Sequence, residues 1–264
     1  MDLQLIEKYR SLGIADVLDK EKFNNISIVH HSTVLEGSTL TEIETQVLIN
    51  EGLTPKGKPL EHSLMVTDHF NALKFILEQA EKKRPVTVQL IQEINSLTIR
   101  NTGGIYHTAL GAVDATKGEF RKGNVMAGET YFPGFEKVER LTIDLADKIC
   151  GTMKTDIPMQ SKIELSYDAH YALVSIHPFY DGNGRTSRLL MNYIQAYYKL
   201  PLAIVHKENK VDYINALVKT REKQDIKVFR DFMDKEYTQL LKSEIQKFQE
   251  IKQPSTGKGF SFLF

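Results

Sequence analysis

The sequence predicts an all-α protein that carries one small β-hairpin. Apolar residues recur at spacings of three and four through most of the chain, which is the period of an amphipathic helix. Strand patterns are sparse, and the best one covers residues 118–131, where glycines at 118, 123 and 128 predict a short hairpin. Residues 101–117 are rich in glycine and threonine, so an ordered loop is expected there.

Six apolar stripes predict six helices in chain order. Each stripe places its apolar residues on one helical face, and core packing explains that face. The stripes lie within residues 66–77, 90–97, 138–149, 165–176, 189–197 and 229–240.

Charge and composition exclude several classes of protein. Lys plus Arg and Asp plus Glu both number 34, so no net basic character points to a nucleic-acid partner. No run of 18 apolar residues occurs, so no membrane partner is expected. The first residues carry the acids Asp2 and Glu7 and no apolar run, which is unlike a signal peptide and favours a cytoplasmic location.

One dense constellation of chemical groups lies at residues 177–188, which read His-Pro-Phe-Tyr-Asp-Gly-Asn-Gly-Arg-Thr-Ser-Arg. A Gly-Asn-Gly turn followed by a helix N-terminus presents unpaired backbone N–H groups and a partial positive charge. Arg185 and Arg188, three residues apart in the first turn, are expected to face the same anion. These features predict a phosphate site.

Two further side chains in this stretch complete a reaction chemistry. Asp181 beside a phosphate would be repelled unless a cation lay between them, and Mg²⁺ is the usual bridge. His177 has an ordinary pKa near 6.5, which suits a general base at neutral pH. The combination predicts phosphoryl or nucleotidyl transfer, in which positioning and charge neutralisation provide most of the catalysis.

The same stretch matches the signature HPFx(D/E)GNGRxxR at every defined position, so the chain resembles the Fic family. The segment at 118–133 is similar to the family's flap, a hairpin that aligns the target segment. The apolar run before His177 and the RLLMN sequence after Arg188 are also similar. The resemblance covers residues 60–240, roughly two-thirds of the chain.

The resemblance implies a Fic-like helical bundle that transfers AMP from ATP to a Ser, Thr or Tyr hydroxyl of an unidentified protein target, with Mg²⁺ and release of pyrophosphate. It implies that His177 deprotonates the target hydroxyl and that Asp181 binds the metal. Thr186 and Ser187 join the ATP-binding set without individual roles, and Arg221 lies close to where the family's late adenine-side Asn would fall. The implied ATP-binding residues are Val125, Met126, Ala127, Gly128, Asp181, Gly182, Asn183, Gly184, Arg185, Thr186, Ser187, Arg188 and Tyr213.

An upstream segment resembles the family's inhibitory pattern. Residues 32–37 read Ser-Thr-Val-Leu-Glu-Gly, with Glu36 as the acid, on the same chain and N-terminal to the main motif, as in the family's second class. The resemblance implies that Glu36 pairs with Arg188 and takes the clamp meant for the γ-phosphate, so that ATP binds only in a non-productive pose. The spacing of Leu40, Ile43 and Val47 predicts a helix that holds this acid.

The predicted organisation has three segments and leaves two other functions open. Residues 1–59 form a helical region with the inhibitory segment, 60–240 the catalytic core, and 241–264 a helix end and tail. In the first alternative Glu36 orients water for removal of AMP from a modified protein. In the second, the chain is a non-catalytic, ATP-sensing interaction module. A homodimer is compatible with the sequence, although no heptad pattern or apolar patch specifies one.

Overall fold

A computed structural model describes residues 2–14 and 18–252 of the chain. The C-terminal tail predicted from residue 253 onward lies outside the described residues. Within these ranges the chain forms ten α-helices: α1 (Leu3–Ser11), α2 (Leu18–Leu35), α3 (Glu42–Glu51), α4 (Leu60–Glu81), α5 (Val88–Thr98), α6 (Phe135–Met153), α7 (Met159–Ile176), α8 (Asn183–Tyr197), α9 (Lys210–Lys223) and α10 (Lys227–Lys252). All six predicted stripes fall within helices.

Two short antiparallel hairpins lie between α5 and α6. Strand β1 (Ile105–Thr108) pairs with β2 (Gly111–Asp114), and β3 (Met126–Ala127) pairs with β4 (Thr130–Tyr131). The second hairpin lies inside the predicted segment 118–131. The first occupies residues expected to form a loop, and that expectation is wrong. Only Val113 of its eight strand residues is buried, so the strands carry almost no alternating apolar pattern.

Helix α8 runs through the centre of the molecule, packed against α4, α5 and α7. Twelve of its 15 residues are buried, including the polar residues of its first turns. The first turns of α8 are therefore held in the interior of the fold, which gives the Gly-Asn-Gly loop a rigid base.

Other helices form two outer layers. Helix α2 packs against α3 and α4 and brings its C-terminal end to the N-terminal end of α8. On the other side, α1, α9 and α10 share a second apolar cluster with part of α7. Helix α10 continues without a break through residue 241, where the sequence predicted the core to end. None of the described helices combines the length and the apolar character that a membrane span requires.

Candidate active site

His177 ends helix α7 in a left-handed backbone conformation, with φ of +52°, and its N–H donates to Leu173 O at 3.0 Å. A positive φ in a residue with a side chain carries strain and is found at functional sites. The imidazole stacks on Phe132, with ring centroids 3.9 Å apart and an interplanar angle of 18°. The ring is thus oriented by the segment that follows the β3–β4 hairpin.

Burial lowers the pKa of His177 to about 4, and the positive charges of Arg121 and Arg221 add to this effect. The carbonyl of Val174 and the carboxylate of Glu36 oppose it. The imidazole is consequently neutral at pH 7, which is the form that accepts a proton. From the sequence alone, the ordinary pKa of about 6.5 is expected for this histidine. The pKa is lower in the structure because the imidazole is desolvated by the fold, which a local motif does not reveal.

The loop before α8 is shaped by Gly182, which has a φ of +76°. A Cβ at this position would lie 2.8 Å from both Asn95 Nδ2 and Ile99 Cγ2, so only glycine fits. The side chain of Asn183 forms a two-way bond with the backbone of Phe179, accepting from its N–H at 3.0 Å and donating to its carbonyl at 2.8 Å. Asn183 therefore locks the loop with its side chain.

The two arginines of the motif are buried but point to different neighbours. Arg185 donates to Thr98 O at 3.1 Å and lies 3.4 Å from Asp181. Arg188 donates from Nε to Ser32 Oγ at 2.8 Å and from Nη2 to Ser32 O at 3.0 Å. In this structure each arginine has its own hydrogen-bond partners, and the positive charges of both act on the carboxylate of Glu36.

Glu36 Oε1 accepts from Arg188 Nη2 at 2.6 Å, a short charge-assisted bond. The Arg188 side chain is 5% exposed and the Glu36 side chain 34% exposed, so the pair lies at the mouth of a buried site. A Cβ built on Gly184 would lie 2.3 Å from the same Oε1. The carboxylate thus occupies the space that the missing side chain of Gly184 leaves at the first turn of α8, where an anion is favoured.

The charge of Glu36 is fixed by this environment. Burial alone would raise the pKa of this carboxyl group, but Arg188 outweighs that effect and, with Arg185 and Lys210, lowers the pKa. Glu36 follows the last turn of α2, and Ser38 N donates to Thr33 O at 3.0 Å to close that end of the helix. The position of the acid therefore depends on α2.

The predicted support of Glu36 by residues 39–47 is only partly correct. Leu40 is buried, but Ile43 is 74% exposed and so does not form part of a buried face. Helix α3 begins with a capping box between Thr41 and Glu44, which explains why the helix starts there.

The hydroxyl-bearing residues of the predicted ATP-binding set, Thr186, Ser187 and Tyr213, are buried within the fold. Thr186 Oγ1 accepts from Asn95 Nδ2 at 3.1 Å, and Ser187 Oγ donates to Asn183 O at 2.7 Å. The hydroxyl of Tyr213 lies 2.8 Å from His170 Nε2, and Tyr213 is 3% exposed. In this structure these hydroxyl groups support the frame of the site from inside.

The flap, residues 118–133, covers the side of the site next to His177. Met126, Ala127 and Gly128 are exposed, and Val125 is half-buried. Arg221 donates to Thr130 Oγ1 at 3.2 Å and lies over the ring of Phe132. The structure therefore places Arg221 against the flap.

Two buried residues, Asn95 and Arg121, hydrogen-bond to the 177–188 loop, and they were not predicted from the sequence. Asn95 donates to Asp181 O at 3.0 Å, and Arg121 donates to the carbonyl of His177 at 2.7 Å. Both act through backbone carbonyl groups across large sequence distances. Such contacts leave no spacing pattern that the sequence could reveal.

Asp181 is the candidate metal ligand. Its side chain is 46% exposed and faces Arg185 at 3.4 Å. In the part of the chain that the structure describes, no group of three potential ligands converges. One accessible carboxylate fits Mg²⁺ held jointly with phosphate oxygens and water, which is how this ion commonly binds.

The chain is similar to known proteins in sequence and in fold. Residues 85–195 match the model of the Fic/DOC family. The chain is 30% identical over 206 residues to a protein adenylyltransferase Fic of Drosophila melanogaster, covering 78% of this chain and 39% of that protein. It is 30% identical over 215 residues to a protein of the same name from Culex quinquefasciatus, covering 81% and 40%. The chain thus spans about two-fifths of the length of the curated relatives it matches.

Solved structures show the same fold. A Fic-domain-containing signalling protein from Bacteroides thetaiotaomicron superposes with a TM-score of 0.79 at 24% identity, over 94% of this chain and 96% of that one. Fic-1 from C. elegans superposes with a TM-score of 0.76 at 23% identity, over 95% and 74%. The predicted all-α fold with a small hairpin is confirmed.

Proposed function

The chain carries a domain of the Fic/DOC family, and on this ground we propose that it is a protein adenylyltransferase that transfers AMP from ATP to a hydroxyl group of a protein target and is inhibited by its own Glu36. The name of the curated relatives supports the reaction. The observation that carries the proposal is the 2.6 Å bond between Glu36 and Arg188, which puts a carboxylate on a phosphate-type site one loop away from a neutral histidine.

In the proposed reaction His177 takes the proton of a Ser, Thr or Tyr hydroxyl. The hydroxyl oxygen attacks the α-phosphorus of ATP, the bond between the α-phosphorus and its bridging oxygen breaks, and pyrophosphate leaves. The low pKa of His177 keeps its imidazole free of a proton before the reaction. A negatively charged nucleotide next to the ring would raise this pKa and so strengthen the base when substrate is bound.

Arg185, Arg188 and the N-terminal N–H groups of α8 would hold the phosphates. Asp181 would hold Mg²⁺ together with phosphate oxygens, and the ion would neutralise charge on the leaving pyrophosphate. The flap residues Val125 to Gly128 are exposed beside His177, which suits them to cover the nucleotide and align a target segment.

Inhibition follows from the occupancy of Arg188. A phosphate cannot take the Nη2 bond while Glu36 holds it, and the two negative groups would repel one another at the α8 N-terminus. ATP would then bind in a pose that leaves its α-phosphorus out of line with the attacking hydroxyl. The chain would become active when α2 withdraws Glu36.

Incubation with α-³²P-labelled ATP and Mg²⁺ tests the reaction. We expect labelled protein from the Glu36→Gly variant, either the enzyme itself or a protein in a cell lysate. Mass spectrometry of the labelled protein should show an added AMP. Absence of label from this variant in every lysate would refute the proposed function.

Removal of AMP is a second candidate, and one observation favours it. The carboxylate of Glu36 lies close enough to His177 to oppose the lowering of its pKa. An acid at that position could also orient a water molecule toward an AMP-modified hydroxyl. Release of free AMP from a modified protein by the wild type, and not by Glu36→Gly, would identify this activity.

A further inference from the structure

The guanidinium of Arg121 is buried at the base of the flap and binds backbone on two sides of the site. Arg121 is 2% exposed. Toward the flap, its Nη1 donates to Gly123 O at 2.8 Å and its Nη2 to Pro133 O at 2.5 Å. Toward α7, its Nε donates to His177 O at 2.7 Å, and Nη2 also lies 3.5 Å from Ile176 O.

These acceptors are all main-chain carbonyl groups, so the contacts fix backbone positions. Gly123 and Pro133 lie on opposite sides of the β3–β4 hairpin, and one planar group therefore sets the width of the flap at its base. The acceptors on α7 are its C-terminal carbonyls, where the helix dipole favours a cation. The backbone N–H of Arg121 adds a bond to Pro178 O at 3.0 Å.

The flap in turn determines where the imidazole of His177 lies. Phe132 precedes Pro133 directly and stacks on His177 at 3.9 Å. On the other side of the flap, Gly123 approaches the side chain of Tyr180, because a Cβ on this glycine would lie 3.0 Å from the Tyr180 hydroxyl. A shift of residues 123 and 133, where the flap joins the rest of the fold, would thus move the Phe132 ring that stacks on His177.

We propose that Arg121 is a positioning residue that holds the flap and His177 in one geometry, so that an aligned target hydroxyl meets the base. The inference rests on the proposed function for its catalytic consequence, but the mechanical link between flap and helix α7 can be measured without any reaction. Displacement of a reacting group by about 1 Å can cost about 100-fold in rate, which sets the expected size of the effect.

The test compares Arg121→Met and Arg121→Lys in the Glu36→Gly background. Backbone order parameters from NMR relaxation of the Ala127 and Thr130 amides report flap order. For Arg121→Met we expect them to fall from about 0.85, typical of rigid backbone, to below about 0.6. We expect kcat/KM for the target to fall by about 100-fold with ATP affinity retained.

Two features separate this role from general stabilisation. Arg121 lowers the pKa of His177, so Arg121→Met should move the acid limb of the pH–rate profile to higher pH. Arg121→Lys keeps the positive charge, so it should loosen the flap without shifting the acid limb. Arg230→Met is the matched control, since Arg230 donates three bonds to Glu164 and Asp168 of α7, away from the C-terminal carbonyls that Arg121 binds. That control should cost stability and leave flap order unchanged.

Each outcome decides one question. Loss of flap order and of target kcat/KM in both Arg121 variants, but not in Arg230→Met, supports the inference. Unchanged flap order in Arg121→Met overturns it, whatever the activity. Absence of AMP transfer from Glu36→Gly itself would refute the proposed function, while the order parameters would still confirm or refute the link between the flap and α7.

Discussion

Replacement of Glu36 by glycine removes the carboxylate that occupies Arg188. The bond that is lost joins Glu36 Oε1 and Arg188 Nη2 at 2.6 Å. Because Arg188 keeps its two bonds to Ser32, the guanidinium stays in place with one N–H facing the vacated position. A phosphate oxygen can then accept a hydrogen bond from that N–H.

The size of the effect follows from the energy of this bond. A hydrogen bond to a charged group contributes about 1.5–3 kcal/mol. Each 1.36 kcal/mol corresponds to a factor of ten, so productive ATP binding should improve about 10- to 150-fold. Since the Glu36 side chain is 34% exposed, water screens part of the interaction and the lower half of this range is expected.

The assay is initial-rate labelling with α-³²P ATP, including self-modification, for a graded series at position 36. Glu36→Gln keeps the shape and an acceptor oxygen but loses the charge, so its activity should fall between wild type and Glu36→Gly. Glu36→Asp keeps the charge but shortens the side chain by one methylene group, which should weaken the 2.6 Å contact and release part of the inhibition.

Thermal unfolding gives a second measurement on the same variants. Glu36→Gly leaves Arg188 buried with one partner fewer, so its melting temperature should fall, and ATP should raise it by more than it raises that of wild type. The reasoning is refuted if Glu36→Gly labels no more protein than wild type while binding ATP equally well.

Three further predictions address the base, the pH dependence and the loop. His177→Ala should abolish labelling while calorimetry still detects ATP binding, because the phosphate contacts lie on α8; full activity would contradict the base assignment. His177 has its pKa lowered to about 4 in the folded chain against about 6.5 when unfolded, so stability is complete above pH 6.5 and is lost as pH falls through that window. Between pH 7.5 and about pH 5, urea unfolding should show that wild type loses about 2 kcal/mol more than His177→Gln, and equal losses would refute the shift. Gly182→Ala should lose at least about 1–2 kcal/mol, because φ is +76° and the new Cβ would meet Asn95. Gly151→Ala, where a Cβ meets nothing within 4 Å on α6, should be neutral or gain about 0.5–1 kcal/mol, and equal effects would contradict the conformational argument.

The sequence predicts those helices whose buried face is apolar. The stripes within α4 to α8 and α10 stand out because apolar side chains recur every three or four residues. Helix α2 buries four polar residues, His30, His31, Ser32 and Thr33, beside its buried apolar ones, so the apolar period is interrupted there. The element that delivers Glu36 is thus the one that pattern analysis locates least well.

The candidate site likewise contains residues that the sequence predicts and residues that it does not. The groups within residues 177–188 are predictable because one loop and one helix start bring them together over a short stretch of chain. Arg121 and Asn95 contact that stretch from 56 and 86 residues away in sequence, and each of them donates to a backbone carbonyl there. Any residue can supply a carbonyl, so no side-chain pattern marks these partners in advance. The depressed pKa of His177 has the same origin, since burial is a property of the whole fold.

In the proposed function Arg188 binds either Glu36 or a phosphate of ATP, and the burial of Arg188 accounts for this dual role. A guanidinium that is 5% exposed has lost most of its hydration, and this is costly unless an anion lies beside it. In the structure that anion is Glu36, and in the proposed active state it is a phosphate of ATP. The buried guanidinium is therefore stabilised by either anion, and it is unfavourable only when both are absent. In the proposed mechanism, activation would require only that α2 moves while a nucleotide is present, because the incoming phosphate would supply the negative charge that leaves with Glu36.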